Sequence, residues 1–158
     1  MIGTDIKFYG SGASNLGGAI GSLLTSNSLH NLFDAVSEAE AVTGSTEYRC
    51  IYVKNTHGTD TLQGAKIWID VNTTSADSTL EIALGDSALS GTESSIADET
   101  TDPGLTDAFS ATATEGAAKV ITDMAAGVHK AIWIKRIVLN NSGAESGATA
   151  TLKVSGIG

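Results

Sequence analysis

Few residues in this chain are of types that do chemistry, and their spacing keeps them apart. The three histidines are His30, His57 and His129, and none has a second His or Cys at metal-ligand spacing. Each reads as an ordinary surface or boundary histidine. The single cysteine, Cys50, alternates with apolar neighbours in Arg49-Cys50-Ile51-Tyr52-Val53. That setting predicts a buried small hydrophobe rather than a nucleophile. Gly10-Ser11-Gly12-Ala13-Ser14-Asn15 has the glycines of a phosphate loop. No Lys-Ser/Thr closes it and no strand-to-helix unit surrounds it, so a flexible arm is the better reading. Asp98, Glu99 and Asp102 could offer oxygens to a calcium ion, but the twelve-residue loop pattern is absent. They read as part of a solvated acidic loop. No carboxylate pair stands out for acid–base work. The expectation is no catalytic residue, no metal and no cofactor.

Trp68 and Trp133 carry a sharper expectation. Trp68 alternates with Lys66 and Asp70, opposite Ile67 and Ile69. Its ring belongs either to a second core face, or under a covering neighbouring loop, or to a contact surface, where Trp is enriched. A sugar-stacking platform is a third option. With Ile6, Phe8 and Tyr9 near the N-terminus, the two tryptophans are the candidate partner-binding residues.

Composition narrows the classes. The chain has 158 residues, enough for one domain or one domain plus an arm. It is 41% hydrophobic and 17% charged, too apolar for a disordered chain. Its 18 acidic residues against 9 basic ones give a net charge of −9, which argues against a nucleic-acid partner. One cysteine makes no internal disulfide. No basic region followed by an apolar run opens the sequence, and glycines interrupt residues 16–24, so neither a secretory signal nor a membrane span is expected. Folding in a cytoplasm, with Cys50 reduced, follows from that expectation.

The elements that must position these residues are mostly strands. Residues 1–29, rich in Gly and Ser, read as an extended N-terminal arm, with a first strand and a long loop of the same domain as the alternative. Residues 30–158 read as an all-β domain, an antiparallel β-sandwich of immunoglobulin-like or jelly-roll type with about seven strands. Residues 48–54 and 65–71 read as an antiparallel hairpin with a long loop. Thr79 to Leu84 alternates most clearly, with Leu80, Ile82 and Leu84 inward. Residues 130–139 are apolar enough on both faces for a central strand. Residues 35–42 could make two helical turns, too few for an autonomous helix. Between Ile67 and Ala118 there are ten acidic residues and no Lys or Arg. The densest part of this stretch is predicted to be a solvent-facing loop, with at most a short strand near Phe109.

Thr46 to Asn55, followed by Gly64 to Ile69, resembles a segment of small virion proteins of tailed bacteriophages. Residues 31–40 and 125–136 are similar to the flanks in that group. The resemblance covers about residues 30–140. It implies a β-sandwich structural protein, in some members a cement or decoration protein of the capsid. It would bind the major capsid protein on the head surface as a homo-oligomer, with a trimer favoured, in a virion assembled in the host cytoplasm. No functional residue carries over. The arm could pair with a neighbour's sheet edge through main-chain hydrogen bonds. The negative charge suits an outward-facing surface rather than one against packaged DNA. A tail, baseplate or fibre protein is the alternative. A carbohydrate-binding module is a further one, and it needs Trp68 or Trp133 exposed.

Overall fold

The computed structural model describes residues 5–26, 30–143 and 148–158. Eight strands are described: β1 (Ile6–Ser11), β2 (Ile20–Leu23), β3 (Ser45–Asn55), β4 (Leu62–Val71), β5 (Ser78–Leu84), β6 (Lys119–Met124), β7 (His129–Val138) and β8 (Thr151–Ile157). They form two antiparallel sheets, one of five strands in the order β2-β1-β3-β7-β5 and one of three in the order β6-β4-β8. The chain is the all-β sandwich that its alternation predicts, but the hairpin expected of residues 48–54 and 65–71 does not form: β3 and β4 go to opposite sheets, and the loop between them crosses the sandwich. Six described strands, rather than about seven, follow residue 30, because the strand expected near Phe109 shrinks to a single bridge between Ser110 and Ile82.

The main core lies between the sheets. Ile51, Val53, Ile82, Ile132 and Ile134 face Ala65, Ile67, Ile69, Ile121 and Met124 across it. One short helix, α1 (Glu38–Thr43), takes up the second half of the ambiguous stretch 35–42 and extends one residue beyond it. Its sequence supplies a capping box: Glu40 N–H donates to the Ser37 hydroxyl, and Ser37 N–H donates to the Glu40 carboxylate at 2.7 Å. Gly44 ends it with φ 78°. None of its residues is buried.

The expected arm is different in the structure. β1 is an interior strand of the larger sheet, paired with β3 from Ile6–Asn55 to Gly10–Ile51. Ile6 and Phe8 pack on the main core, and Tyr9 and Ile20 pack on the sheet's other face. Glycine suggested flexibility, but here it permits close approach. Gly18 N–H donates to Glu93 O at 2.9 Å. At Gly17, φ is 92°, and an added Cβ would lie 2.2 Å from Ser94 O. Gly17→Ala is therefore expected to lower stability by about 1–3 kcal/mol, through left-handed strain and the backbone clash. A shift in the urea midpoint reads this directly.

The acidic stretch also departs from its expectation. Residues 85–110 do not simply hang in solvent: Ile96, Leu105 and Phe109 cover a second apolar cluster on the outer face of the five-stranded sheet. Tyr48, Cys50, Tyr52, Ala131 and Trp133 form the buried part of that cluster. The carboxylates serve largely as acceptors for nearby backbone and hydroxyl groups. Asp98 accepts from Thr100 and Thr101, Asp102 from Gly104 N–H, and Asp107 from Leu84 N–H. Glu93, only 4% exposed, accepts from Asp86 and Ser87 N–H. Asp and Thr together satisfy turn donors, so the stretch carries charge without needing basic partners at every position.

Candidate functional site

The sequence-selected residues do not meet at one place. Trp133 is 0% exposed and Trp68 8%. Both rings are core, so neither forms the open contact surface or sugar platform that exposure would require. Ile6 and Phe8 are partly buried against the main core, and Tyr9 lies under Lys54, whose Nζ is 5.7 Å from the ring centroid. These five residues mainly hold the sandwich together.

The remaining candidates are scattered too. His57 Nδ1 accepts from Asp60 N–H at 2.9 Å and from Thr59 N–H at 3.2 Å, which makes it a turn former. His129 meets Tyr52 edge-on, with ring centroids 5.1 Å apart. Its burial pulls the imidazole below the ordinary histidine range. His30 is exposed. Cys50 is fully buried, and desolvation pushes its thiol up to about 12, so it is no thiolate nucleophile at neutral pH. Asp98, Glu99 and Asp102 turn to three different sets of partners and do not converge on a cation.

A different constellation stands out, one the sequence reading missed. It sits where the five-stranded sheet extends past β1. β1 stops pairing with β3 at Gly10, and β3 finds other partners beyond it. Cys50 N–H donates to Asn15 O and Tyr48 N–H donates to Glu99 O, both at 2.7 Å. That second bond brings the Glu99 side chain beside Arg49, which donates to it through Nη2 at 2.5 Å. On the next strand Arg136 stands opposite Glu47 in register and donates to its carboxylate at 2.5 Å. The segment before α1 closes the group. Phe33 lies under both guanidiniums, at 5.4 Å from Arg49 and 4.7 Å from Arg136. Arg49 Nε donates to Leu32 O, and Arg136 Nη1 donates to Asp34 O. The Asp34 carboxylate lies 3.7 Å from Arg49 and 3.6 Å from Arg136.

Four carboxyl groups (Asp34, Glu40, Glu47, Glu99) meet two guanidiniums. Glu47 is 1% exposed. Its burial pushes its carboxyl up to about 7, with the neighbouring Glu40 adding to the effect and Arg136 opposing it. Glu40 is held down to about 2, chiefly by its hydrogen bond with Glu47 and then by the Ser37 cap. Oxygens of Asp34, Glu47 and Glu99 lie within 4.8 Å of one another, a spacing a metal ion could bridge. Each of these carboxylates already faces a guanidinium, and a divalent cation would sit beside Arg49 and Arg136. The donor set therefore fits ion pairs better than a metal. Chemically, the arrangement can hold and release a proton.

One shallow depression, lined by Leu84, Gly85, Asp86, Thr106, Asp107 and Lys130, holds about 640 Å³. Its charged groups are already engaged: Asp107 pairs with Lys119, and Lys130 donates to Ser87 O. No described helix is long and apolar enough to cross a membrane. Compared with protein-family models, curated proteins and solved structures, the chain matches none.

Proposed function

We propose that the chain is a non-enzymatic structural protein of a bacteriophage particle. It would act as a capsid cement or decoration protein that binds the major capsid protein as a homo-oligomer, in trimeric form by preference. The resemblance of residues 30–140 supports this reading. The structural observation that carries it is the open edge of the smaller sheet. β8 pairs with β4 alone, and no described strand covers its other side. Ile157 on β8 is 75% exposed, with Val71 on β4 at 50% and Val120 on β6 at 55%. The uncovered β8 edge, with Ile157 exposed at one end and Val71 of the neighbouring strand at the other, is suited to strand addition by a partner, in which main-chain hydrogen bonds give affinity, while Val120 lies on the opposite edge. In this reading the contact surface would be this edge rather than the two buried tryptophans, and the sugar-binding alternative loses its support.

Val71→Lys combined with Ile157→Lys tests the reading, since both side chains are exposed and the fold is expected to tolerate the change. Heads stripped of this protein should sediment with the wild type and lose most of the double variant, while its circular dichroism and urea midpoint stay unchanged. Equal occupancy of heads by the variant would sink the edge assignment. Gold-labelled protein found on tails rather than heads would replace cement with the tail, baseplate or fibre reading.

A further inference from the structure

Three nitrogen-bearing side chains stand in one cross-strand row on the outer face of the five-stranded sheet. β1 and β3 place Lys7 directly opposite Lys54, and β3 and β7 place Lys54 opposite His129. Tyr9, Tyr52 and Ala131 form the next row on the same face, where all three pack in the outer cluster. Lys54 Nζ lies over the Tyr9 ring, and His129 meets Tyr52 edge-on. Lys7 is exposed, and Lys54 and His129 are half-buried. Like charges directly opposite each other destabilise a sheet unless an opposite charge joins them. Elsewhere the chain supplies such charges: five of its nine basic side chains pair with a carboxylate, and Lys130 donates to a carbonyl. Neither Lys7 nor Lys54 has a carboxylate partner among the described residues. A like-charged pair left open on a chain of net charge −9 is a place for an acid from another molecule.

The opposite end of this face carries acid. Tyr48 lies on β3 six residues before Lys54, about 20 Å away at about 3.3 Å per residue. Its hydroxyl donates to Asp102 Oδ2 at 3.2 Å, which brings the loop of Asp98 and Asp102 to the outer face. Both aspartates are exposed. The bonds that Asp98 accepts from Thr100 and Thr101 all fall on Oδ1, so Oδ2 is open to solvent. A face that is basic at one end and acidic at the other complements a second copy of itself.

We propose that Lys7 and Lys54 receive the Asp98–Asp102 loop of a second copy of this chain. The charge balance favours that occupant: a second copy presents a surface rich in carboxylates, whereas an extended polyanion such as nucleic acid would meet the acidic remainder of this one. The contact joins two different patches, and such contacts generate a ring where the rotation closes. It names one contact of the homo-oligomer and rests on that part of the functional reading alone. Head binding is tested separately at the β8 edge.

Zero-length carbodiimide cross-linking joins an amine to a carboxylate only where the two touch. Isotopically light and heavy copies of the full chain, mixed at high salt and dialysed to low salt, should give peptides linking Lys7 or Lys54 to Asp98 or Asp102 with one light and one heavy half. These peptides should disappear at about 1 M salt. In sedimentation equilibrium Lys7→Glu should weaken self-association about tenfold. Asp98→Asn keeps the Oδ1 acceptor of its turn and should weaken it about threefold, as loss of one exposed ion pair does. Both variants should keep the wild-type urea midpoint. Absence of light–heavy peptides, or unchanged association of Lys7→Glu, would overturn the proposal and leave the β8 result standing. Cross-links from these lysines to the head protein alone would overturn it too, and would give the row to the capsid contact.

Discussion

A chain lacking residues 1–24 is expected to lose cooperative folding. Those residues look dispensable by composition, yet β1 fills one side of β3 through five residue pairs. Ile6, Phe8 and Leu24 pack on the main core, and Tyr9 and Ile20 on the outer cluster. At about 1–2 kcal/mol for each partly buried side chain, their loss removes about 5–10 kcal/mol, comparable with the whole stability of a typical domain. Buried polar groups lose partners as well. Ser11 Oγ donates to Cys50 O at 2.8 Å, and Tyr52 Oη donates to Gly18 O at 2.6 Å while accepting from Glu93 N–H. Without the N-terminal segment, Tyr52 and the covering loop near Glu93 lose their common anchor. The far-ultraviolet circular dichroism and urea unfolding of the truncated chain decide the matter. A sigmoidal transition with the wild-type midpoint would show that β1 and β2 are an arm after all. The result also bears on capsid binding, because a truncated chain that fails to bind would report unfolding rather than a lost contact.

The sheets were legible in the sequence where one face is apolar and the other is not. Ile67, Ile69 and Ile82 declare their inward face by alternation alone, and the structure buries all three. For Trp68 and Trp133 the sequence places the rings opposite the main core face and allows a covering loop as well as a contact surface; the structure buries both. For Trp133, the cover comes from residues far along the chain, Ile96, Leu105 and Phe109 among them, and no local period reveals a loop folding back. The N-terminal glycines misled for a related reason. Composition reports freedom in an isolated chain, whereas Gly17 and Gly18 are there to let two backbones touch. The charge cluster does leave a signal in the sequence. In Glu47-Tyr48-Arg49-Cys50-Ile51-Tyr52-Val53 the alternation places Glu47 and Arg49 on the same side as Ile51 and Val53, the core side. Charges on a core face call for partners, and Arg136 on the register-matched strand supplies one.

Arg136→Ala is expected to destabilise the protein strongly, and by an amount that grows with pH. Arg136 is 11% exposed at its side chain and serves Glu47, the Asp34 carbonyl and the Phe33 ring together. Removing one member of a buried ion pair costs about 3–5 kcal/mol when the other member must stay charged. Glu47 has an escape, since it can take up a proton. Its folded-state value, about 7, already exceeds the ordinary value of 4.5, and losing a cation raises it further. A raised carboxyl contributes stability that is complete below the unfolded value and disappears as pH climbs through the folded one. In the wild type that loss amounts to about 3 kcal/mol between pH 4.5 and somewhat above 7. Glu40 acts oppositely at lower pH: its contribution is present above the ordinary value and fades as pH falls toward 2. His129, held low by burial, favours the folded state more as pH rises through the histidine range, so it partly masks the Glu47 effect. Comparison with Glu47→Gln removes that interference, because His129 is common to both chains. Near pH 5 both the wild type and Arg136→Ala keep Glu47 neutral, and the substitution should cost only the lost hydrogen bonds and packing, about 1–2 kcal/mol. Near pH 8 the cost should approach about 3–5 kcal/mol, because the variant must either bury an uncompensated carboxylate or hold a proton against the solution. In the Glu47→Gln background the same substitution should cost nearly the same at both pH values. Urea denaturation of the four chains at the two pH values measures every term of this cycle. A pH-independent cost of Arg136→Ala in the wild-type background would mean that Glu47 does not titrate where the geometry of the cluster requires.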